Sequence, residues 1–316
     1  MNRREFLRNA AGAALLPVTR YATSSEKVTP QVALTFDDPQ TEEDAGLGWQ
    51  AVNHGILSVL AEQKIKSILF VCGKRVDSTA GAELVAEWDR SGHLIGNHSY
   101  SHLNFNSSSD GEKGDGVTLA QFESDALKNE PLIRGYGNFR RLFRYPFFKE
   151  GDTAEKRDGM RPFLRERGYR IGRATIDASD WAIDARMANR VKPASADLTG
   201  YRDFFLDHIW QRAQFYKSLA AQMKLAVRHT VVLHHNALNA MFLGDLIAMF
   251  RTNGWAVIDA EYAYQDEIYD RQPKTLPSGE SLIWALAKET GRFEKELRYP
   301  GEDDVYENPR MDALKL

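Results

Sequence analysis

The sequence predicts an α/β fold on a parallel sheet of about seven strands, closed into a barrel or left open. Three observations predict it. Short apolar runs rich in β-branched and aromatic residues recur along the chain, and longer segments with helical periodicity separate them. Several of those segments stop at a glycine, Gly92, Gly168 or Gly254, as helix C-termini do.

In chain order, the first strand is expected at 32–36, running into Asp37 and Asp38. A helix at 49–63 leads to a strand at 67–72, and a helix at 81–91 to a strand at 94–97. The polar, Gly-rich stretch 107–116 reads as a loop, either a lip over a site or an idle insertion. A helix at 119–133, a strand at 141–145, a helix at 158–167 and a strand at 170–176 continue the alternation. A long helix at 201–225, a strand at 230–234, a helix at 238–252 and a strand at 255–259 complete it. Residues 28–270 thus form the expected domain. Residues 271–316, with one helix expected at 280–290 and a charged tail, read as a C-terminal extension rather than a second domain. There is no internal repeat.

The chain has 316 residues, 43% hydrophobic and 27% charged, which is ordinary for a globular protein. A formal charge of −3 provides no electrostatic footprint for nucleic acid or an anionic membrane. The single cysteine, Cys72, excludes an intramolecular disulfide and a multi-thiolate zinc site, and its apolar run 67–72 makes it a small buried hydrophobe. At the N-terminus, Arg3-Arg4 precedes an apolar stretch too short for a membrane span of roughly 20 residues. Residues 1–25 therefore read as a twin-arginine-type export signal, the alternative being an amphipathic first helix. A cut after Ala22 would leave Arg20 at the minus-three position, so no cleavage site is defined. The expectation is an exported protein, periplasmic or extracellular, handled by the export machinery and without a stable membrane span.

Chemistry is expected where strands end, since functional residues of β/α folds gather at strand C-termini. Asp37 and Asp38 end the first strand, Arg144 the fourth and His234 the sixth, while His98 follows the third and Asp180 the fifth. Adjacent carboxylates repel and are costly to bury without a positive partner, which a divalent metal supplies. His98 and His102, four apart, can present two imidazoles on one side of a helical turn. With a carboxylate they make three ligands and leave an open coordination position, as catalytic sites do. His54, His93, His208 and His229 fall at none of these positions and read as surface or satisfied core residues.

The chain resembles the polysaccharide deacetylase family, carbohydrate esterase family 4, with its NodB homology domain. Five segments carry the resemblance: Thr35-Phe36-Asp37-Asp38, Gly96-Asn97-His98-Ser99-Tyr100-Ser101-His102, Arg144-Tyr145-Pro146-Phe147, Asp177-Ala178-Ser179-Asp180-Trp181 and Val232-Leu233-His234. The resemblance implies a distorted or incomplete (β/α) barrel. It makes Asp38, His98 and His102 the metal ligands and Asp37 the general base toward the attacking water. Arg144 would orient Asp37 and hold it ionised, and the Tyr145 N–H would bind the oxyanion. His234 would be the general acid, held by Asp180, with His235 the alternative. Trp181, Leu233 and Phe147 or Phe148 would wall the acetyl methyl. Asn236 and Asn239 are either helix caps or cleft residues. The donor set suits Zn2+ and admits Co2+, Ni2+ or Mn2+. The chain departs from the family where Pro39-Gln40 and an acidic segment follow Asp38 in place of the usual glycine. The expected function is metal-dependent removal of acetyl groups from an N- or O-acetylated carbohydrate. The alternatives are an amidase acting on a small non-sugar amide and a non-catalytic carbohydrate-binding protein on the same fold.

Overall fold

The structure, a computed structural model, describes residues 29–106, 116–190, 197–298 and 303–316. The expected export signal and most of the 107–116 loop lie outside the described residues. β1 (Gln31–Asp37) leads through a tight turn and α1 (Trp49–Glu62) into β2 (Ile68–Val71), then α2 (Gly73–Val76), α3 (Thr79–Arg90) and β3 (Leu94–Asn97). There follow α4 (Leu119–Ile133), β4 (Phe139–Phe143), a 3-10 turn at Pro146–Phe148, β5 (Lys149–Gly151), α5 (Ala154–Glu166) and β6 (Arg170–Ile171). Next come α6 (Asp180–Arg190), α7 (Thr199–Gln222), β7 (Arg228–His234), α8 (Ala237–Thr252), β8 (Ala256–Val257) and α9 (Ala260–Ala263). The chain finishes with β9 (Ser278–Gly279), α10 (Leu282–Glu289) and α11 (Asp303–Ala313).

The main sheet runs β6-β4-β3-β2-β1-β7, with β8 beside the start of β1, and every pairing is parallel. Past β6 the chain reaches β7, where the Thr175 and Ile176 N–H groups donate to the Thr230 carbonyl at 3.1 and 2.9 Å. Segment 170–176, expected as one strand, therefore meets β4 at one end and β7 at the other and curls the sheet into a distorted barrel. β1 alternates between two cores: Val32, Leu34 and Phe36 pack under the helices, whereas Ala33 faces the barrel interior. Thr35 and Asp37 share the side of Ala33. That parity aims Asp37 inward.

Several helix starts are set by side-chain caps. Thr118 and Gln121 form a capping box at α4, and Thr153 caps α5, which is why α5 begins ahead of the expected residue 158. α6 was not expected, because its start is the motif Asp180-Trp181 rather than an apolar run. The segment after residue 270 packs into the molecule: six of the residues of α10, Leu282 to Ala287, are buried, and Trp284 donates to the Arg298 carbonyl at 2.7 Å. Among the described residues no helix is long and apolar enough to cross a membrane. Cys72 is buried and free, its thiol pushed up to about 11 by burial and the nearby Asp38 carboxylate. His93, His208 and His229 are buried, and His54 is exposed.

Candidate active site

Asp38, His98 and His102 each present one ligand atom, all within 4.8 Å of one another. His102 Nε2 lies 3.2 Å from Asp38 Oδ2, and His98 Nε2 lies 4.0 Å from Asp38 Oδ1. The segment from His98 to His102 is an irregular loop rather than the expected helical turn, with Ser99 and His102 at φ 61° and 56°. Asp125, from α4, shapes it by accepting the Ser101 N–H at 2.9 Å. The turn over the site falls on Asp38 itself, at φ 56°, a conformation Asp tolerates better than most residues. This is how the chain does without a glycine after the aspartate pair.

The donor set fits a divalent cation on three counts. His98 donates Nδ1–H to the Arg144 carbonyl at 2.8 Å, so its Nε2 carries the free lone pair, and burial pushes its pKa down to about 4. Burial opposes ionisation of Asp38, but the hydrogen bond with His102 and the neighbouring His98 and Arg75 outweigh it and hold the carboxyl below its usual range. Asp38 Oδ1 is buried with no hydrogen-bond partner among the described residues.

Asp37 is 3% exposed, with Oδ2 3.8 Å from His98 Nε2, and its hydrogen bond comes from outside the ligand set. Arg144, wholly buried, donates from Nη1 to Asp37 Oδ1 at 2.6 Å and to Thr35 Oγ1 at 3.0 Å. Its other bonds run from Nε to the Gly172 carbonyl at 2.8 Å and from Nη2 to the Tyr264 hydroxyl at 2.9 Å. The guanidinium also stacks on Phe70 at 4.0 Å. A planar fork with this many fixed partners has one orientation.

His234 sits at the end of β7, beside Asp37 in the β1–β7 register. Its Nδ1–H donates to Asp180 Oδ1 at 2.8 Å, and its backbone N–H to Asp180 Oδ2 at 2.7 Å. Burial alone would lower the His234 pKa, but Asp180, through its charge and hydrogen bond, together with Asp37 and Asp38 raises it to about 9. Asn239 donates Nδ2 to Asp180 Oδ2 at 2.7 Å, and Asn236 both caps α8 and lines the cleft, its own Nδ2 3.5 Å from the same oxygen. His235 also lines the cleft, but its Nε2 faces Asn53 at 3.2 Å and burial takes its pKa down to about 4. No carboxylate holds it among the described residues.

Asp37, Asp38, His98, His102 and His234 open on one cleft of about 480 Å³, lined also by Tyr145, Phe147, Phe148, Trp181 and Val232, with Arg144 and Asp180 buried behind it. Phe147 and Trp181 are 54% and 48% exposed, and the Phe147 ring meets His102 edge-on at 4.4 Å. Leu233 is a correction: it is fully buried in the helix-side core, and Val232 takes its place in the cleft. Side chains alternate along a strand, so the residue two before His234 shares its face and the residue one before cannot. Thr35 carried the same signal, two residues before Asp37. Tyr264, Arg75, Asp184 and Glu280 carried none, because tertiary folding alone brings their segments to the site. The acidic segment after Pro39 turns back at Ala45-Gly46 and docks on α8, where Asp44 accepts the Ala237 N–H at 2.7 Å. Asp184 accepts the Leu238 N–H at 2.8 Å beside it, and burial and the Asp44 charge push its pKa up to about 8.

Residues 24–163 match the family model described as polysaccharide deacetylase. A peptidoglycan-N-acetylglucosamine deacetylase of Bacillus cereus is 27% identical over 162 residues, which are 51% of this chain and 50% of that protein. The chain thus spans about half the length of that curated relative. Among solved structures, the chitin deacetylase of the fungus Colletotrichum lindemuthianum has a TM-score of 0.50 at 18% identity, over 75% of this chain and 88% of that one. A CE4 family pseudoenzyme from Bacillus anthracis has a TM-score of 0.49 at 17% identity, over 75% and 66%.

Proposed function

We propose that this chain, whose residues 24–163 match the polysaccharide deacetylase model, is a metal-dependent hydrolase removing acetyl groups from an N- or O-acetylated carbohydrate. One observation carries the reading: an aspartate fixed by Arg144 and a histidine fixed by Asp180 share a cleft with the Asp38, His98 and His102 donor set.

Asp38, His98 and His102 would hold a divalent cation, which would supply Lewis acidity toward a water and the acyl carbonyl. Asp37, oriented by the Arg144 fork, takes the proton of the attacking water. The Tyr145 N–H donates to the oxygen that becomes negative, a contribution of about 3 kcal/mol for such a donor. His234, protonated at neutral pH and with Nδ1–H committed to Asp180, delivers its Nε2 proton to the leaving nitrogen or oxygen. Phe147, Trp181 and Val232 exclude water around the acetyl methyl. Two imidazoles and a carboxylate favour zinc, with cobalt, nickel and manganese as alternatives. What speaks against a non-catalytic carbohydrate-binding role is that the residues proposed as base and acid each have a charged partner, Arg144 and Asp180.

The test is acetate release from chitooligosaccharide, acetylxylan and peptidoglycan fragments by protein stripped with a chelator and then resupplied with zinc. Zinc-dependent release from at least one of them is expected. Failure on all three with zinc present overturns the carbohydrate reading.

A further inference from the structure

Part of the cleft wall comes from beyond the family-matched residues, and Glu280 is the part of it furthest along the chain. Glu280 follows β9, which pairs antiparallel with β5, and its N–H donates to the Phe148 carbonyl at 3.0 Å. A Cβ added to Gly279, at φ +129°, would sit 1.9 Å from that carbonyl oxygen, so only glycine lets β9 approach so closely. On the other side Ser281 caps α10. Held from both ends, Glu280 adopts φ 67°, a left-handed conformation unfavourable for a glutamate and of the kind that collects at ligand sites.

The side chain is as constrained as the backbone. Oε1 is ion-paired with Lys149 Nζ, and both residues line the cleft. Oε2 is buried and has no hydrogen-bond partner among the described residues. A buried carboxylate oxygen without a donor is costly. A carboxylate oxygen beside an ammonium matches a sugar hydroxyl, which both donates and accepts.

We propose that Glu280, with Lys149 beside it, is a specificity-determining residue that accepts a hydrogen bond from a hydroxyl group of the carbohydrate substrate. The inference rests on the deacetylase reading above and deepens it by assigning sugar recognition to the C-terminal segment. The experiment compares Glu280→Gln and Glu280→Gly with the parent. Two substrates are used: the acetylated carbohydrate the parent turns over best, and nitrophenyl acetate, which has no hydroxyl group to read. Glycine adopts the left-handed conformation freely, so the second variant keeps the backbone while removing the carboxylate. Both variants are expected to raise KM for the carbohydrate about tenfold, with a smaller change in kcat. The loss of kcat/KM on the carbohydrate should exceed that on the ester by a similar factor, with Glu280→Gly melting no lower than the parent. Equal losses on the two substrates, or an unchanged carbohydrate KM, would show that Glu280 only braces the Phe148 turn and would overturn the proposal. A parent that cleaves the ester but no carbohydrate fails at an earlier step, overturning the deacetylase reading and this inference with it.

Discussion

Asp37 and Asp38 are neighbours in sequence with different surroundings: both approach His98, but Arg144 grips the first, and the second also meets His102. Their losses should therefore differ in kind. Asp38→Asn is expected to abolish metal retention in the purified protein, measured by elemental analysis, and activity with it. Asp37→Asn should keep the metal and lower kcat by about 10² to 10⁴, the usual range for a general base. Metal loss in both variants would dissolve the distinction. His234 makes a second prediction, on pH. In the acid role proposed for it, His234 works only while protonated, and the neighbouring Asp180 raises its pKa to about 9. Activity should fall as pH rises through that value. In Asp180→Asn the alkaline limb of kcat/KM should move down toward or below the ordinary 6.5, and a limb that stays in place would remove His234 from the acid role.

Two short elements set the cleft's shape where longer ones set its frame. The loop from His98 to His102 takes its form from Asp125 of α4 and from left-handed residues, not from helical periodicity. Four-residue spacing suits a helix, but it suits any turn that returns its ends to one side. The β5–β9 ribbon has three residues on one strand and two on the other, and no apolar pattern marks it. Its register depends on Gly279. Gly279→Ala should destabilise the protein by on the order of 2 kcal/mol or more, since it adds both a backbone clash and φ strain. Carbohydrate KM should suffer as Phe148 shifts. A melting temperature equal to the parent's would show that the ribbon is not a constraint.

At the scale of the molecule, the last helix is tied to the site through buried polar groups. Glu307 of α11 is fully buried, ion-paired with Arg298 and 3.2 Å from His208 Nδ1. His208 Nε2 in turn accepts the Ser179 N–H at 3.0 Å, one residue from Asp180. Burial alone would raise the Glu307 pKa, but His208 and Arg298 bring it down to about 2, so its stabilising effect is complete above the ordinary 4.5 and is lost as pH falls toward about 2. Glu307→Gln should lower the melting temperature at pH 7 by several degrees and flatten its decline between those two pH values; an unchanged acid limb would place the linkage elsewhere. The strand-end aspartates, the histidine pair, Arg144 and His234 were legible in the sequence, because strand alternation and β/α order are local patterns that fix which residues reach one end of a sheet. Leu233 misled because a motif match ignores strand parity, which the same local pattern contains. The Gly172 and Tyr264 partners of Arg144, the docking of Asp44 on α8, Glu280 and the anchoring of α11 were decided by tertiary structure alone. Each joins segments far apart in the chain through single polar contacts, and such contacts leave no period in composition or spacing.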